Sequence, residues 1–496
     1  DICKLLLIQL FIRRHTLTEV ASVFPINLQH ICILHVFINE TWLERYGYPI
    51  HQDNLLFLWS IIVSIYGIGG LLGSSGTRYL TVKYGKYVLN MRQTKCLLCT
   101  NVLMIMAASI MGCSKIVQSF EMILIGRFLY GVSAGLCVPL HHQYVGEISP
   151  KKLRGFANST SSFFWSLGKA IGQISGQREL LGSQYLWPLL MASCGFPALV
   201  QLVTLPFFPE SPAYLLMHKG DQEGCKKGNQ WQLWGEGHHQ AEIDDFMKEK
   251  ATMKNTKILS VLELMKEPAF RWQLYMIVVL TATVQLCGIN AIYFYTFEVL
   301  QTAGFDERMI SYMTLSVGLS ELISSIIERL GRKVLLRGGY FIMGSLLAAI
   351  TVTLSLQDWY FWMPYCSLCL IILATYIILI VLCLSGGATV SVRVEIFKFS
   401  CRPSAFVISA ILNWLGVFVI GTTFPFIVEN LKHFCFLIFM VVIFTSATII
   451  HLFLPETKGK SIMEITEEFD QLNFRKKYIP TTPSHVTEDY TFCTRL

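Results

Sequence analysis

The residues Leu55–Leu72 read LLFLWSIIVSIYGIGGLL, eighteen consecutive positions without a charged side chain. A helix needs about 17–25 mainly apolar residues to cross the hydrocarbon core of a bilayer, because its backbone N–H and C=O groups must be satisfied within the segment. Ten further stretches meet this criterion. They are Cys96–Cys113, Met122–Leu140, Phe156–Ile174, Trp187–Phe208, Leu274–Tyr295, Met309–Ile327, Gly338–Leu356, Tyr365–Leu384, Ala405–Val428 and Phe434–Leu454. The sequence therefore predicts an all-α polytopic membrane protein.

The overall composition favours the same class. Of the 496 residues, 53% are hydrophobic and only 15% are charged, and the mean hydropathy is +0.50. Soluble domains carry about 25% charged residues, so the composition argues against a soluble enzyme, a nucleic-acid-binding protein or a disordered scaffold. The chain has no phosphate loop, and the paired histidines His141-His142 and His238-His239 lack metal-ligand spacing. We expect no cofactor, no metal and no enzymatic activity.

A twelfth segment, Ala21–Ile38, carries no formal charge but contains Pro25 and several polar residues, and is expected to be a poor first span. When it is counted, Lys and Arg concentrate in alternate loops. The positive-inside rule then places both termini and the loop Pro209–Arg271 in the cytoplasm. Asn39, in the sequon Asn39-Glu40-Thr41, falls on the predicted outer face and is expected to be glycosylated.

Three junctions between spans occur twice. Gly85 in the first half matches Gly331, Glu147 matches Glu395, and Pro209 matches Pro455, each pair being 246–248 residues apart. The repeat predicts two parallel six-helix halves that bind a substrate between them at mid-membrane. The expected organisation is a first half over residues 1–208, an interdomain loop with short helices over 209–270, a second half over 271–458, and a cytoplasmic tail over 459–496.

Periodicity and polarity predict three smaller features. In the interdomain loop, Leu259, Leu262 and Met265 form the apolar face expected of a short amphipathic helix. The tail after Lys460 is polar and is expected to be disordered. Lys169, inside the fifth span, is expected to snorkel or to face a cavity rather than to act as a counter-ion.

The repeated junctions carry charges of both signs on the predicted cytoplasmic face. Ion pairs between helix ends near the interface break and re-form at modest cost, so they suit a gate that closes the inner side. A purely anchoring role for the same charges stays open. The residues are Glu147, Arg154, Glu328, Arg329, Glu395 and Arg402.

At these junctions the chain resembles the sugar porter branch of the major facilitator superfamily, and in particular the class II facilitated glucose transporters. The motifs are Gly126-Arg127, Gly146-Glu147 with Leu153-Arg154-Gly155, Pro209-Glu210-Ser211-Pro212, Gln285-Leu286-Cys287-Gly288-Ile289-Asn290-Ala291, Glu328-Arg329-Leu330-Gly331-Arg332-Lys333 and Pro455-Glu456-Thr457-Lys458-Gly459. The resemblance implies a major facilitator fold with twelve transmembrane helices, and it adds Arg127 and Arg332 to the gate residues.

The resemblance also implies a hexose site. Side-chain amides both donate and accept hydrogen bonds, as sugar hydroxyls require, and an aromatic face suits an otherwise apolar cavity. By motif match Gln285, Asn290, Asn413 and Trp414 fall on sugar-contact positions and Tyr295 on the outer gate, and the amide of Gln173 in the fifth span joins them. The implied function is facilitated hexose transport by alternating access. The implied partners are a sugar and membrane lipid, without nucleic acid, and the protein is expected to be a monomer.

Two alternatives stay open at this point. Ser385-Gly386-Gly387-Ala388-Thr389-Val390 replaces the family's glycine-proline hinge, and with the poor first span this suggests a paralogue that binds sugar without transporting it or is defective. Glu321, a carboxylate inside the eighth span, suggests a proton-coupled symporter.

Overall fold

Helices form every regular element in the part of the chain that the structure, a computed structural model, describes. The described residues are 28–78, 93–148, 166–177, 179–207, 261–287, 332–356, 401–431, 434–457 and 462–474, with the single positions 312, 315, 316, 319, 377, 389, 392, 393, 396 and 397. The helices are α1 (Leu28–Tyr46), α2 (Gln52–Arg78), α3 (Gln93–Cys113), α4 (Glu121–Ile148), α5 (residues 166–175), α6 (Trp187–Ala192), α7 (Gly195–Thr204), α8 (Val261–Lys266), α9 (Arg271–Leu286), α10 (Arg332–Leu356), α11 (Arg402–Leu431), α12 (Cys435–Phe453) and α13 (Ile462–Phe474).

Seven helical stretches among the described residues are long and apolar enough to cross a membrane. They are Gln52–Gly76, Glu121–Val138, Trp187–Thr204, Pro268–Leu286, Lys333–Thr353, Ser404–Phe424 and Cys435–Phe453, and each coincides with a span that the sequence predicts. Helix α3 contributes a shorter apolar stretch, Leu97–Cys113. The predicted spans Met309–Ile327 and Tyr365–Leu384, and the first half of Phe156–Ile174, lie largely outside the described residues.

Helix α1 extends beyond the first predicted span. The sequence places the end of that apolar span at Ile38, whereas α1 continues to Tyr46 and includes the sequon at Asn39. Gly47 ends the helix, with φ +76° and its N–H donated to the Leu43 carbonyl at 2.8 Å. A left-handed glycine, not the first polar residue, therefore sets the end of α1.

Glycines bring the backbones of α2 and α4 into direct contact. A Cβ on Gly69 would lie 2.9 Å from the Val132 nitrogen and one on Gly73 3.0 Å from the Leu136 nitrogen. The same holds in the other direction, because a Cβ on Gly131 would collide with the Tyr66 carbonyl. Such spacing of small residues is the usual way for membrane helices to pack closely.

Helix α2 also meets α11, in an antiparallel arrangement. A Cβ on Gly67 would lie 2.8 Å from the Phe418 nitrogen, and one on Gly70 would collide with the Trp414 indole. The described residues form two apolar cores, one built from residues between 34 and 198 and the other from residues between 264 and 469, with Trp414 as the exception. Trp414 belongs to α11 but packs in the first of these cores.

The C-terminal tail corrects one expectation. Residues 462–474 were expected to be disordered, but they form α13, in which Phe469 is fully buried and Ile465 is 1% exposed. Asn473 of α13 also donates to the Ala269 carbonyl at 2.6 Å and accepts from the Trp272 N–H at 3.2 Å. Apolar side chains four residues apart on a polar helix are enough to fix it to the second core.

The short helix α8 corrects another. The expected apolar face contains Leu262 and Met265, which are 65% and 61% exposed. The buried residues of α8 are Val261 and Leu264. The helix is as short as predicted, but the face turned to the protein is the neighbouring one.

Adding a methyl group at Gly131 tests the close packing of α2 against α4. We expect Gly131→Ala to lower the free energy of unfolding by about 1–3 kcal/mol, because the added Cβ forces two backbones apart. Thermal unfolding of the purified protein in detergent measures the effect. Gly338→Ala is the control, since a Cβ at Gly338 meets nothing within 4 Å. Equal stability of the two variants would contradict the packing argument.

Candidate functional site

A hydrogen bond between two side-chain amides forms the centre of the site. Gln285 lies in the last turn of α9 and Asn413 in the middle of α11. The Gln285 Nε2 donates to the Asn413 Oδ1 at 2.7 Å. Gly416 makes room for this contact, because a Cβ there would lie 2.6 Å from the Gln285 Cγ. Two residues that the sequence predicts for the site are therefore direct neighbours.

Trp414 follows Asn413 and joins the amide pair to α2. Its side chain is 8% exposed, and its indole lies edge-on to the Tyr66 ring with the ring centroids 5.4 Å apart. Sequence reasoning missed Tyr66. The signal was present, since an aromatic residue directly precedes the glycine-rich stretch of α2 that lets the indole approach.

Arg127 was assigned to the cytoplasmic ion pairs, and this assignment is wrong. It lies about 9 Å along α4 from Glu121 and about 30 Å from Glu147, so it sits towards the opposite end of the helix from the predicted gate. The Arg127 Nε donates to the Ile62 carbonyl of α2 at 2.6 Å. Its guanidinium also lies over the Tyr66 ring at 6.0 Å. Arg127 therefore packs on the Tyr66 ring, and Tyr66 in turn contacts Trp414.

Gln173 of α5 is a buried amide that lacks a partner. Its side chain is 1% exposed, and neither its Nε2 nor its Oε1 has a hydrogen-bond partner among the described residues. A buried amide in this state costs about 1–3 kcal/mol. A ligand able to donate and accept at this position would recover that free energy.

The remaining predicted site residues are only partly described. Glu147 lies at the end of α4, and Arg332 and Arg402 lie at the starts of α10 and α11. Asn290, Tyr295, Arg154, Glu328, Arg329 and Glu395 lie outside the described residues. Asn39 is half-buried in α1, and its Oδ1 accepts the Ile50 N–H at 3.3 Å.

Glu456, which the sequence analysis treated only as part of a repeated junction, ties that junction to α10. One carboxylate oxygen accepts the Lys333 N–H at 3.2 Å, and the other accepts the Thr457 N–H at 3.1 Å. A carboxylate in the first turn of a helix satisfies N–H groups that have no partner within the helix, and it favours the positive end of the dipole. Pro455-Glu456-Thr457, the second copy of the repeated junction, therefore has a structural role at the start of α10.

The chemistry of the amide pair suits a polyhydroxylated ligand. Gln285 and Asn413 together offer donors and acceptors, as sugar hydroxyls require. No described contact links Gln173 to this pair or to Trp414. The structure therefore brings together the predicted site residues of α9 and α11, but not the α5 amide.

Comparison with known proteins supports the expected class. The family model described as "Sugar (and other) transporter" matches residues 30–469. The mouse solute carrier family 2, facilitated glucose transporter member 9 is 39% identical over 464 residues, covering 92% of this chain and 84% of that protein. Human member 11 is 38% identical, with 90% and 89% covered, and human member 5 is 37% identical, with 89% and 87% covered.

Solved structures confirm the major facilitator fold. The proton:xylose symporter XylE bound to 6-bromo-6-deoxy-D-glucose superposes with a TM-score of 0.73 at 19% identity, covering 95% of this chain and all of that one. The inward open conformation of the xylose transporter XylE from E. coli gives a TM-score of 0.71, with 93% and 99% covered.

A double-mutant cycle tests the amide pair. We expect Gln285→Ala and Asn413→Ala each to destabilise the protein, and the double variant to lose about 1 kcal/mol less than the sum, because either single change already breaks the shared hydrogen bond. Thermal unfolding of the four proteins gives the coupling. Strict additivity would show that the 2.7 Å contact contributes nothing.

Proposed function

The chain belongs to the sugar transporter family, and from that premise we propose that it is a facilitative carrier that moves a hexose down its concentration gradient by alternating access. The observation that carries the proposal is the amide pair Gln285–Asn413 beside Trp414, at the place where α2 and α11 meet. A carrier of this kind needs its ligand contacts where two mobile parts come together.

Each described site residue has a role in this proposal. Hydroxyl groups of the sugar exchange the Gln285–Asn413 hydrogen bond for bonds of their own, and the ring packs on the Trp414 indole. Gln173 binds a further hydroxyl from the first half. Asn290 contacts the sugar as well, and Tyr295 closes over it on the outer side.

Transport requires a rocking movement of one half over the other. The α2–α11 contact is made at Gly67 and Gly70, against which Phe418 and Trp414 of α11 pack, and it is the place at which one half rocks over the other. The two halves correspond to residues 1–208 and 271–458, joined by the loop over 209–270 and followed by the tail over 459–496. Charges at the repeated junctions hold the inner side closed: Glu147, Arg154, Glu328, Arg329, Arg332, Glu395 and Arg402.

Counterflow in proteoliposomes tests transport directly. Vesicles that hold the full chain are loaded with unlabelled D-glucose or D-fructose and diluted into the labelled sugar, with no proton gradient imposed. We expect transient accumulation of at least one labelled sugar. Trp414→Ala should raise the apparent Km about tenfold, equivalent to about 1.4 kcal/mol, because the apolar face of the site is lost. Phe196→Ala is the matched control, as Phe196 is 71% exposed on α7.

The outcomes distinguish the alternatives. Sugar binding without counterflow would favour the non-transporting paralogue, and uptake that requires an inward proton gradient and is lost in Glu321→Gln would favour the symporter. Neither binding nor counterflow by folded protein would overturn the proposal.

We further propose that the protein is a monomer in the plasma membrane, surrounded by lipid, with both termini in the cytoplasm and a glycan on Asn39. The Asn39 hydrogen bond to Ile50 uses Oδ1, which leaves the Nδ2 that a glycan would occupy. Expression in mammalian cells should give a species whose mobility increases after endoglycosidase treatment. Thr41→Ala should abolish the shift, and Thr41→Ser, which keeps the sequon, should retain it. An unshifted wild-type band would contradict both the glycan and the orientation.

A further inference from the structure

Helix α5 carries a stripe of buried polar side chains. Ser166, Lys169 and Gln173 of α5, and Gln177 just beyond its end, are 3%, 9%, 1% and 8% exposed. At 3.6 residues per turn the three helical residues lie within an arc of about 60°. Ile171 and Ile174, 44% and 41% exposed, lie outside that arc. The polar side of α5 is therefore turned into the protein and an apolar side away from it.

Lys169 is the charged member of this stripe. A lysine that snorkels keeps its ammonium in water, whereas Lys169 is only 9% exposed. This favours the second of the two sequence expectations, a side chain that faces the interior. Basic residues inside membrane spans generally face the bundle interior or a cavity and mark the path of a ligand.

Lys169 differs from Arg127, another buried basic residue among those that the structure describes. Arg127 is held by the Ile62 carbonyl of α2 at 2.6 Å and braces Tyr66, which gives it a structural role. Lys169 instead lies one helical turn from the unpartnered amide of Gln173. Lys169 also takes part in another interaction in the structure, which an ammonium with three N–H donors can keep while it meets a ligand.

Lys169 and Gln173 together define a ligand chemistry. Side chains four residues apart on a helix are about 5–6 Å apart at Cβ, close enough for one small molecule to touch both. The amide both donates and accepts, as a sugar hydroxyl requires, whereas the ammonium only donates and favours an anion. A neutral hexose uses the first group, and a sugar that carries a carboxylate uses both.

We propose that the site accepts a hexuronate, with the carboxylate on Lys169 and hydroxyl groups on Gln173. The inference rests on the proposed function, since it assigns the substrate class of the same site. It extends that function from neutral hexoses to sugar acids.

Equilibrium binding to the purified full chain tests the inference with three ligands: D-glucose, D-glucuronate and D-glucuronamide. The amide has nearly the shape of the acid but no charge. We expect wild-type protein to bind glucuronate at least about tenfold more tightly than glucuronamide, because the Lys169 ammonium attracts a carboxylate and not a neutral amide. The ratio of the two dissociation constants should fall towards one in Lys169→Gln and be retained in Lys169→Arg.

Lys115→Gln provides the matched control. It removes the same charge from the turn after α3, where Lys115 donates to the Gln184 carbonyl at 3.0 Å, and it should leave the ratio at the wild-type value. Wild-type protein that binds glucose but prefers glucuronamide to glucuronate, or a ratio unchanged in Lys169→Gln, would overturn the inference and leave the hexose carrier intact. Folded wild-type protein that binds none of the three ligands would overturn the proposed function itself, and this inference with it.

Discussion

Lipid chains are as apolar as the side chains they touch, so burial of apolar surface does not press one membrane helix against another. Close backbone contact has to supply the attraction through dispersion, and each added Cβ weakens it. Helix α2 makes such contact on two sides, through Gly69 and Gly73 to α4 and through Gly67 and Gly70 to α11. The first contact holds α2 within its own half, and the second determines how close Trp414 comes to Tyr66. The apolar wall of the site therefore depends on positions that have no side chain.

The lengths of the apolar runs were sufficient to predict the seven spans that the described residues contain, because bilayer thickness imposes such lengths whatever the tertiary structure. Tertiary partners were not predictable in the same way. Gln285 and Asn413 were identified by residue type, but their bond joins positions 128 residues apart. Arg127 was recognised within a motif, yet only the packed α2 shows that backbone carbonyls satisfy it. The end of α1 depended on the conformation of Gly47, which polarity does not reveal.

The amides of the site differ in the hydrogen bonds that they make before a ligand binds. Gln285 and Asn413 share one hydrogen bond, so a sugar hydroxyl that takes the place of that bond brings only a small net gain. Gln173 has no described partner, so a ligand that reaches it gains more for each bond. Selectivity is therefore expected to come mainly from α5, and the amide pair to supply a contact that forms and breaks easily. A carrier benefits from this division, because a ligand held too tightly is not released.

Helix α13 has a consequence for how the protein is made. Its Phe469 is fully buried in the second core, and Asn473 binds the start of α9, about two hundred residues earlier in the chain. The second half cannot complete its core until α13 has left the ribosome. The start of α9 therefore lacks its contact with Asn473 while the intervening residues are synthesised. The second core is therefore completed late in translation. A chain that stops before Phe469 leaves the apolar surface that this residue covers exposed.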